Sequence, residues 1–382
     1  MSSVAAEHLR VITDRPPNEL LRRPASEVAR LLARRQLDHW VEARARLDRK
    51  DNPEALHGFR VALRRLRSVL RAFRPQLEER VSRRTWRRLG RLADATSESR
   101  NLEVECAWVQ KALGRLVPAD RVGAQQLLAR LEGRRQAAER RVHREVAKWF
   151  APLKRKLRQG LAESTPPAAE RNLTAGAVMR RAVRREAAEL ERHLAAIHAV
   201  PDREAAHGAR ISAKRLRYLL EPFEQGLPEG TAVVEDLTAL QDILGELQDT
   251  HVVADELCEA LGEGAAQRAR RVGDDVFSWG GTAGSRQEYR PEFEAAILAL
   301  ARRLRRERDG TFEKLRGEWL QGKAALLLAR LTALGEHHQP SPRPASTVHP
   351  ALAAEGRTNQ PGADLSPAAG VRRTPGRCRS GR

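Results

Sequence analysis

Aromatic residues are scarce in this chain, 4% of 382 residues, and so are methionine (two) and cysteine (three). Cys106, Cys258 and Cys378 stand far apart, with no CxxC spacing and no accompanying histidine cluster. That excludes a zinc module or a disulfide framework and fits a reducing compartment. No apolar run approaches the ~20 residues that span a bilayer. The opening stretch MSSVAAEHLRVITDRPP has no apolar secretory core. A cytoplasmic location without membrane insertion is therefore expected. Walker-type GxxxxGK[ST], HExxH and GxSxG motifs are absent, as is any run of alternating β-branched residues. Acid is also in the minority, 50 Asp and Glu against 70 Lys and Arg, a formal net charge of +20. A field of that sign attracts polyanions. Arg far outnumbers Lys, which a GC-rich coding bias also produces, so the placement of the arginines carries more than their number.

What is present is helical. From residues 27 to 161 apolar residues recur at three- and four-residue spacing in an Ala-, Leu-, Arg- and Glu-rich background. Breaks are expected at Asp51-Asn52-Pro53, at Arg74-Pro75, in the Ser/Asn-rich stretch 96–101 and at Pro118. A long helix then runs to about residue 161, with Pro152 as a place for a kink. Ser164-Thr165-Pro166-Pro167 marks a linker. The second half, 173–335, shows the same alternation, with breaks at Pro201-Asp202, Gly226-Leu227-Pro228, 262–264 and a Gly-rich run at 280–284. The expected organisation is a flexible lead-in (1–24), an all-α domain (25–335, as repeats 25–163 and 172–335) and a disordered basic tail (336–382).

The halves repeat one another. HGFRVALRRLRSVLRAF at 57–73 and HGARISAKRLRYLLEPF at 207–223 share the His, the Gly, three Arg and the Leu and Phe positions in order. LADATSESRN (92–101) also lines up with LQDILGELQD (240–249), with the register slipped by two. Asn52, Pro53 and Glu54, and Asp202 and Glu204, read as helix-start signals. At about 100° per residue, Phe59, Leu63, Leu66, Val69, Leu70 and Phe73 form one face of the first copy. His57, Arg60, Arg64, Arg67 and Arg71 form an opposite stripe roughly 80° wide. In the second copy Ala209, Ala213, Leu216, Leu219, Leu220 and Phe223 face His207, Arg210, Lys214 and Arg217. Arg65 and Arg215 lie on the flank, able to reach a ligand or to pair with an acid such as Asp94, Asp242 or Asp249. Cations repeated on adjacent turns repel, and only Glu221 joins either stripe. A solvated face paired to neighbouring helices is one account; a surface for a chain of phosphates, gripped by guanidinium forks and by histidine, is the other.

The two motifs resemble those of the CHAD family, the histidine-containing α-helical domain, over most of 25–335. The resemblance implies two pseudo-symmetric four-helix bundles around a basic cavity or groove that binds inorganic polyphosphate, with association to polyphosphate granules. It carries His57, Arg60, Arg64, Arg65, Arg67, His207, Arg210, Lys214, Arg215 and Arg217 over as ligands, and the stripe adds Arg71. Tyr218 falls where the family has Tyr and Asp249 where it has an acid; Ser68 and Asn101 stand at the counterparts. The expected protein is a non-catalytic binder with no metal and no cofactor. Nucleic-acid binding is a rival reading, although 4% aromatic content supplies few stacking platforms. A polyphosphate-processing enzyme is another, using carboxylates such as Asp242 or Glu246. The ExExK signature of the triphosphate-tunnel domain fused to some relatives is absent.

Overall fold

In the computed structural model of the chain, residues 17–47, 54–162, 173–277 and 291–336 are described, and among them there is no strand. The helices are α1 (Pro17–Arg22), α2 (Ala25–Leu47), α3 (Ala55–Ala72), α4 (Arg74–Leu77), α5 (Arg83–Leu113), α6 (Pro118–Gly160), α7 (Ala175–Ala195), α8 (Arg203–Leu220), α9 (Gly230–Phe277), α10 (Pro291–Lys314) and α11 (Ala324–Glu336). Leu315–Lys323 joins α10 to α11 in π-helical turns, so the last three elements form one continuous rod. The expected all-α fold is present. Each half runs in the same order: a helix, the His-led helix, then two long rods.

The apolar faces explain the packing. Every core-face residue named for the two repeated helices, from Phe59 to Phe73 and from Ala209 to Phe223, is buried. The larger core gathers these with Trp40, whose ring meets Phe59 at 5.8 Å and Phe150 at 4.6 Å. A second core lies at the far ends of the rods, built by Leu102 and Val109 of α5, Leu127 and Leu131 of α6, Val253 of α9 and Leu300 of α10. Both cores draw on both halves, so the hydrophobic interior does not divide at the linker.

A short clip fastens the halves at their starts. Ala25 N–H donates to Leu173 O at 2.7 Å, and Ala175 N–H donates to Arg23 O at 2.8 Å. Pro24 and Thr174 sit opposite each other in this isolated β-bridge. These partners carry the same 150-residue offset as His57 and His207.

Several sequence expectations change. Residues 96–101 and 262–264 do not interrupt the chain: they lie inside α5 and α9. Pro17–Arg22, read as loose lead-in, is helical because Leu20 and Leu21 bury against the larger core. Asp202 occupies the N-cap position of α8 without capping it, and accepts instead from the N–H groups of His198 (2.8 Å) and Ala199 (2.9 Å). Asn52, Pro53, the 164–167 linker, the 280–284 run and the 336–382 tail beyond Glu336 fall outside the described residues.

The α6–α10 crossing depends on one missing side chain. A Cβ on buried Gly123 would meet Glu292 O at 2.6 Å, Ala296 Cβ at 2.7 Å and Phe293 Cα at 2.8 Å. Gly133, nearly three turns on, faces open space. Gly123→Val is expected to destabilise by about 1–3 kcal/mol, read as a lower urea midpoint at unchanged slope. Gly133→Ala should stabilise by about 0.5–1 kcal/mol, since it only removes glycine's backbone freedom.

Candidate functional site

The two repeated helices, α3 and α8, pack against each other. With their apolar faces buried on opposite sides, their cationic stripes converge at the crossing. Its centre is Tyr218, 4% exposed, with the guanidinium of Arg217 4.8 Å and that of Arg64 5.9 Å from its ring centre. The Tyr218 hydroxyl is buried without a hydrogen-bond partner. Ser68, at the matching place in α3, donates its hydroxyl to Arg64 O of its own helix at 2.9 Å.

Lys214 is the most strained charge here. Burial, then Arg210, Arg64, Arg215 and Arg67 in that order, pull its pKa down to about 8, and no carboxylate is among its main influences. Arg210 is lowered by burial against the pull of Asp249, and its guanidinium passes over Gly245, where an added Cβ would be in ordinary contact with its Nε at 3.5 Å. Burial also lowers Arg67, with Asp94 the only opposing charge. Arg71 is lowered by burial and then by Arg215 and Arg67. Among the described residues, Arg64, Arg67, Arg71, Arg210, Lys214 and Arg217 form no ion pair with a carboxylate; besides the Tyr218 ring, Arg217 has a 3.5 Å contact to Thr238 Oγ1.

The other sequence-named residues are differently placed. Arg60 is committed: its two Nη groups donate to both oxygens of Glu103 on α5 at 2.6 and 2.8 Å, with the arginine side chain 11% exposed. Of the two roles left open for Arg65 and Arg215, reaching a ligand or pairing with an acid, the structure shows ion pairs, with acids other than Asp94, Asp242 and Asp249. Arg65 reaches Glu221 at 3.4 Å and Arg215 reaches Glu186 at 3.3 Å. Asp249 instead lies 3.9 Å from Arg100, its pKa raised by burial. Asp242 and Glu246 are exposed on α9. One cation was missed. Arg74 continues the 60, 64, 67, 71 spacing and stands over the Trp86 ring at 5.9 Å, but Pro75 made it look like a terminus.

The two histidines stand at the rim. His207 is exposed, and its Nδ1 donates to Gln248 Oε1 at 3.0 Å. The adjoining glycine is required: a Cβ on Gly208 would collide with the His193 ring. Position 43, which corresponds to His193 in the first half, is alanine. The space the ring would fill is left as a depression lined by Ala43, Arg46, Glu54, Ala55, His57 and Gly58. Among the described residues no group of three or more His, Cys, Asp or Glu could hold a metal ion, and no helix is long and apolar enough to cross a membrane.

Chemically, this is a set of desolvated donors without their counter-charges. Because Lys214 has a folded pKa of about 8 against an ordinary 10.5, its penalty is complete below pH 8 and is gone above 10.5. The wild-type protein should therefore gain stability as pH rises through that window. Lys214→Met is expected to raise the unfolding free energy at pH 7 by roughly 3 kcal/mol, a gain that vanishes by pH 10.5. Arg60→Met should act oppositely, costing about 1–3 kcal/mol by stranding Glu103. Urea titrations across pH check both.

A family model for the CHAD domain matches residues 31–258. Two solved structures are similar to this chain. The crystal structure of the CHAD domain from the plant Ricinus communis is 21% identical, with a TM-score of 0.51 over 76% of this chain and 93% of that one. PptA from Streptomyces chartreusis is 17% identical, with a TM-score of 0.55 over 78% and 99%. No curated protein matches. At these identities the structural likeness establishes the fold, and the family match takes in more than half of the sequence: the chain belongs to the CHAD-domain family.

Proposed function

We propose that this protein binds inorganic polyphosphate, without chemically altering it, at the crossing of α3 and α8. One observation carries the reading: Arg64, Arg67, Arg210, Lys214 and Arg215 are gathered at the crossing, where burial and then the repulsion of the four arginines pull Lys214 to about 8. A linear chain of phosphates supplies closely spaced negative charge without needing base-specific or stacking contacts, and guanidinium forks match its oxygens in pairs. Three acids beside the two helices are already committed, Glu103 to Arg60, Glu221 to Arg65 and Glu186 to Arg215. Among the described residues no group of three or more His, Cys, Asp or Glu could hold a metal against a bound phosphate, which favours retention over hydrolysis or synthesis. Membership of the CHAD family supports the same ligand, and with it a place at cytoplasmic polyphosphate granules. His57 and His207, at the rim, act as outer contacts, and Arg60 acts through the fold.

Binding should fall steeply with salt, by analogy with a log–log slope of about −0.7 per phosphate engaged on single strands. Changing Arg64, Arg67 and Arg210 to Ala should weaken polyphosphate binding far more than three Arg changes in the 336–382 tail; equal losses would reject the site. Competition by single-stranded nucleic acid at physiological salt separates the rival ligand: if it displaces polyphosphate at lower concentration, the polyphosphate reading fails.

Proton linkage gives a second test. A bound polyanion favours the charged form of Lys214 and returns its pKa toward 10.5, so binding takes up a proton between about pH 8 and 10 and takes up none at this group below that range. Calorimetry at pH 8.8 in two buffers of different ionisation enthalpy should detect the uptake. Lys214→Arg should abolish it while keeping most of the affinity. Uptake unchanged in that variant would remove Lys214 from the site.

A further inference from the structure

The N-terminal end of α5 breaks two rules of helix electrostatics at once. Arg83, Arg84, Arg87, Arg88 and Arg91 occupy its first nine residues, and its first turn contains no acid. Cations are disfavoured at that end, where the helix dipole is positive, and also one turn from one another. Among the described residues none of the five forms an ion pair with a carboxylate. Burial and then Arg84 and Arg91 lower the pKa of Arg88. Its guanidinium is nonetheless held in place, 4.4 Å from the ring centre of Trp149 on α6, while that indole donates to Glu145 at 2.9 Å. A stacked guanidinium keeps its in-plane donors free for an anion.

This run is contiguous with the crossing. Arg71 feels Arg67 on one side and Arg74 on the other, and Arg74 stands over Trp86 of α5. Asp94, the charge opposing burial at Arg67, lies on α5 two turns beyond Arg87 and, at about 100° per residue, within about 20° of it around the helix. The unpaired cations thus continue from Lys214 through Arg67, Arg71 and Arg74 onto α5. From Asp94 back to Arg84 is about 15 Å of helix.

The second half has no such extension. In the register that aligns 92–101 with 240–249, Arg87 and Arg88 correspond to Glu235 and Asp236 of α9. Asp236 there accepts from Arg330 at 2.8 Å. The basic track is one-sided.

We propose that the arginine run of α5 is a second contact segment for a linear polyanion, so that a chain seated at the α3–α8 crossing leaves it over the first half only. The inference rests on the polyphosphate reading above and adds to it a preference for long chains and a direction of exit. Its test uses the full chain and two probes, long-chain inorganic polyphosphate and tripolyphosphate. Changing Arg84, Arg87, Arg88 and Arg91 to Gln should reduce affinity for the long chain at least about tenfold and shrink the magnitude of its salt slope by about 2–3. Affinity for tripolyphosphate should stay within about twofold. The variant relieves repulsion, so its melting temperature should not fall; the milder Arg84→Gln/Arg88→Gln pair should show about a threefold long-chain loss. Unchanged long-chain affinity, or equal losses for both probes, would overturn the inference. Arg64→Gln/Lys214→Met should weaken both probes; if it weakens neither, the central site itself is wrong, whatever α5 does.

Discussion

Like-charge repulsion between α3 and α8 is tolerated because the opposite faces of the same helices hold them in place. Fully burying a Leu or Phe side chain is worth about 1.5–3 kcal/mol, so Phe59, Leu63, Leu66, Leu70 and Phe73 together contribute on the order of 10 kcal/mol to anchoring α3. The desolvated Lys214 sets roughly 3 kcal/mol against that. Apolar packing therefore wins, and the cations cannot relax by moving apart. What relaxation there is comes from partners on other elements: Glu103 takes Arg60, Glu186 takes Arg215, and Glu221 takes Arg65. The charges left over are those nearest the crossing.

The fold was largely legible because its signal is periodic. Three- and four-residue apolar spacing located both repeated helices and their buried faces. It failed where composition stood in for periodicity. The polar stretch 96–101 reads as a loop, yet Thr96 and Ser97 both turn their hydroxyls back to Ala93 O, at 2.8 and 3.0 Å, and the helix carries on. The glycines at 262 and 264 lower helix propensity without ending α9, which enters them from Leu257, Ala260 and Leu261 in the second core.

The site was legible as a stripe and illegible as a charge balance. Which arginines are spent on acids depends on contacts between residues far apart in the chain, 43 positions for Arg60 and Glu103 and 156 for Arg65 and Glu221. No local pattern announces them. The stripe therefore marks Arg60 and Arg64 as equals, although one is locked in a bidentate pair and the other stands over an aromatic ring. The histidines that lead both motifs misdirect in a similar way. Their neighbouring glycine has a steric reason in the second half, the His193 ring, that is missing from the first.

The copies differ in their core faces, as at Phe59 and Ala209 or Leu63 and Ala213, and also on the basic stripes where the helices meet. Two identical basic helices crossing about a dyad would place each side chain against its own kind, which is unfavourable for arginines and for bulky groups alike. Position for position the copies differ on these stripes: Lys214 stands where the first copy has Arg64, Tyr218 where it has Ser68, and Glu221 where it has Arg71. Each change has a contact to explain it. The small Ser68 turns back onto its own helix while Tyr218 supplies a ring beneath Arg64. Glu221, where a second Arg71 would have stood, reaches across to Arg65. Only the exchange at 64 and 214 leaves charge in place, and it does so with the side chain whose pKa shifts most readily on burial. The repeat has been edited to let the helices touch while the cationic centre is kept.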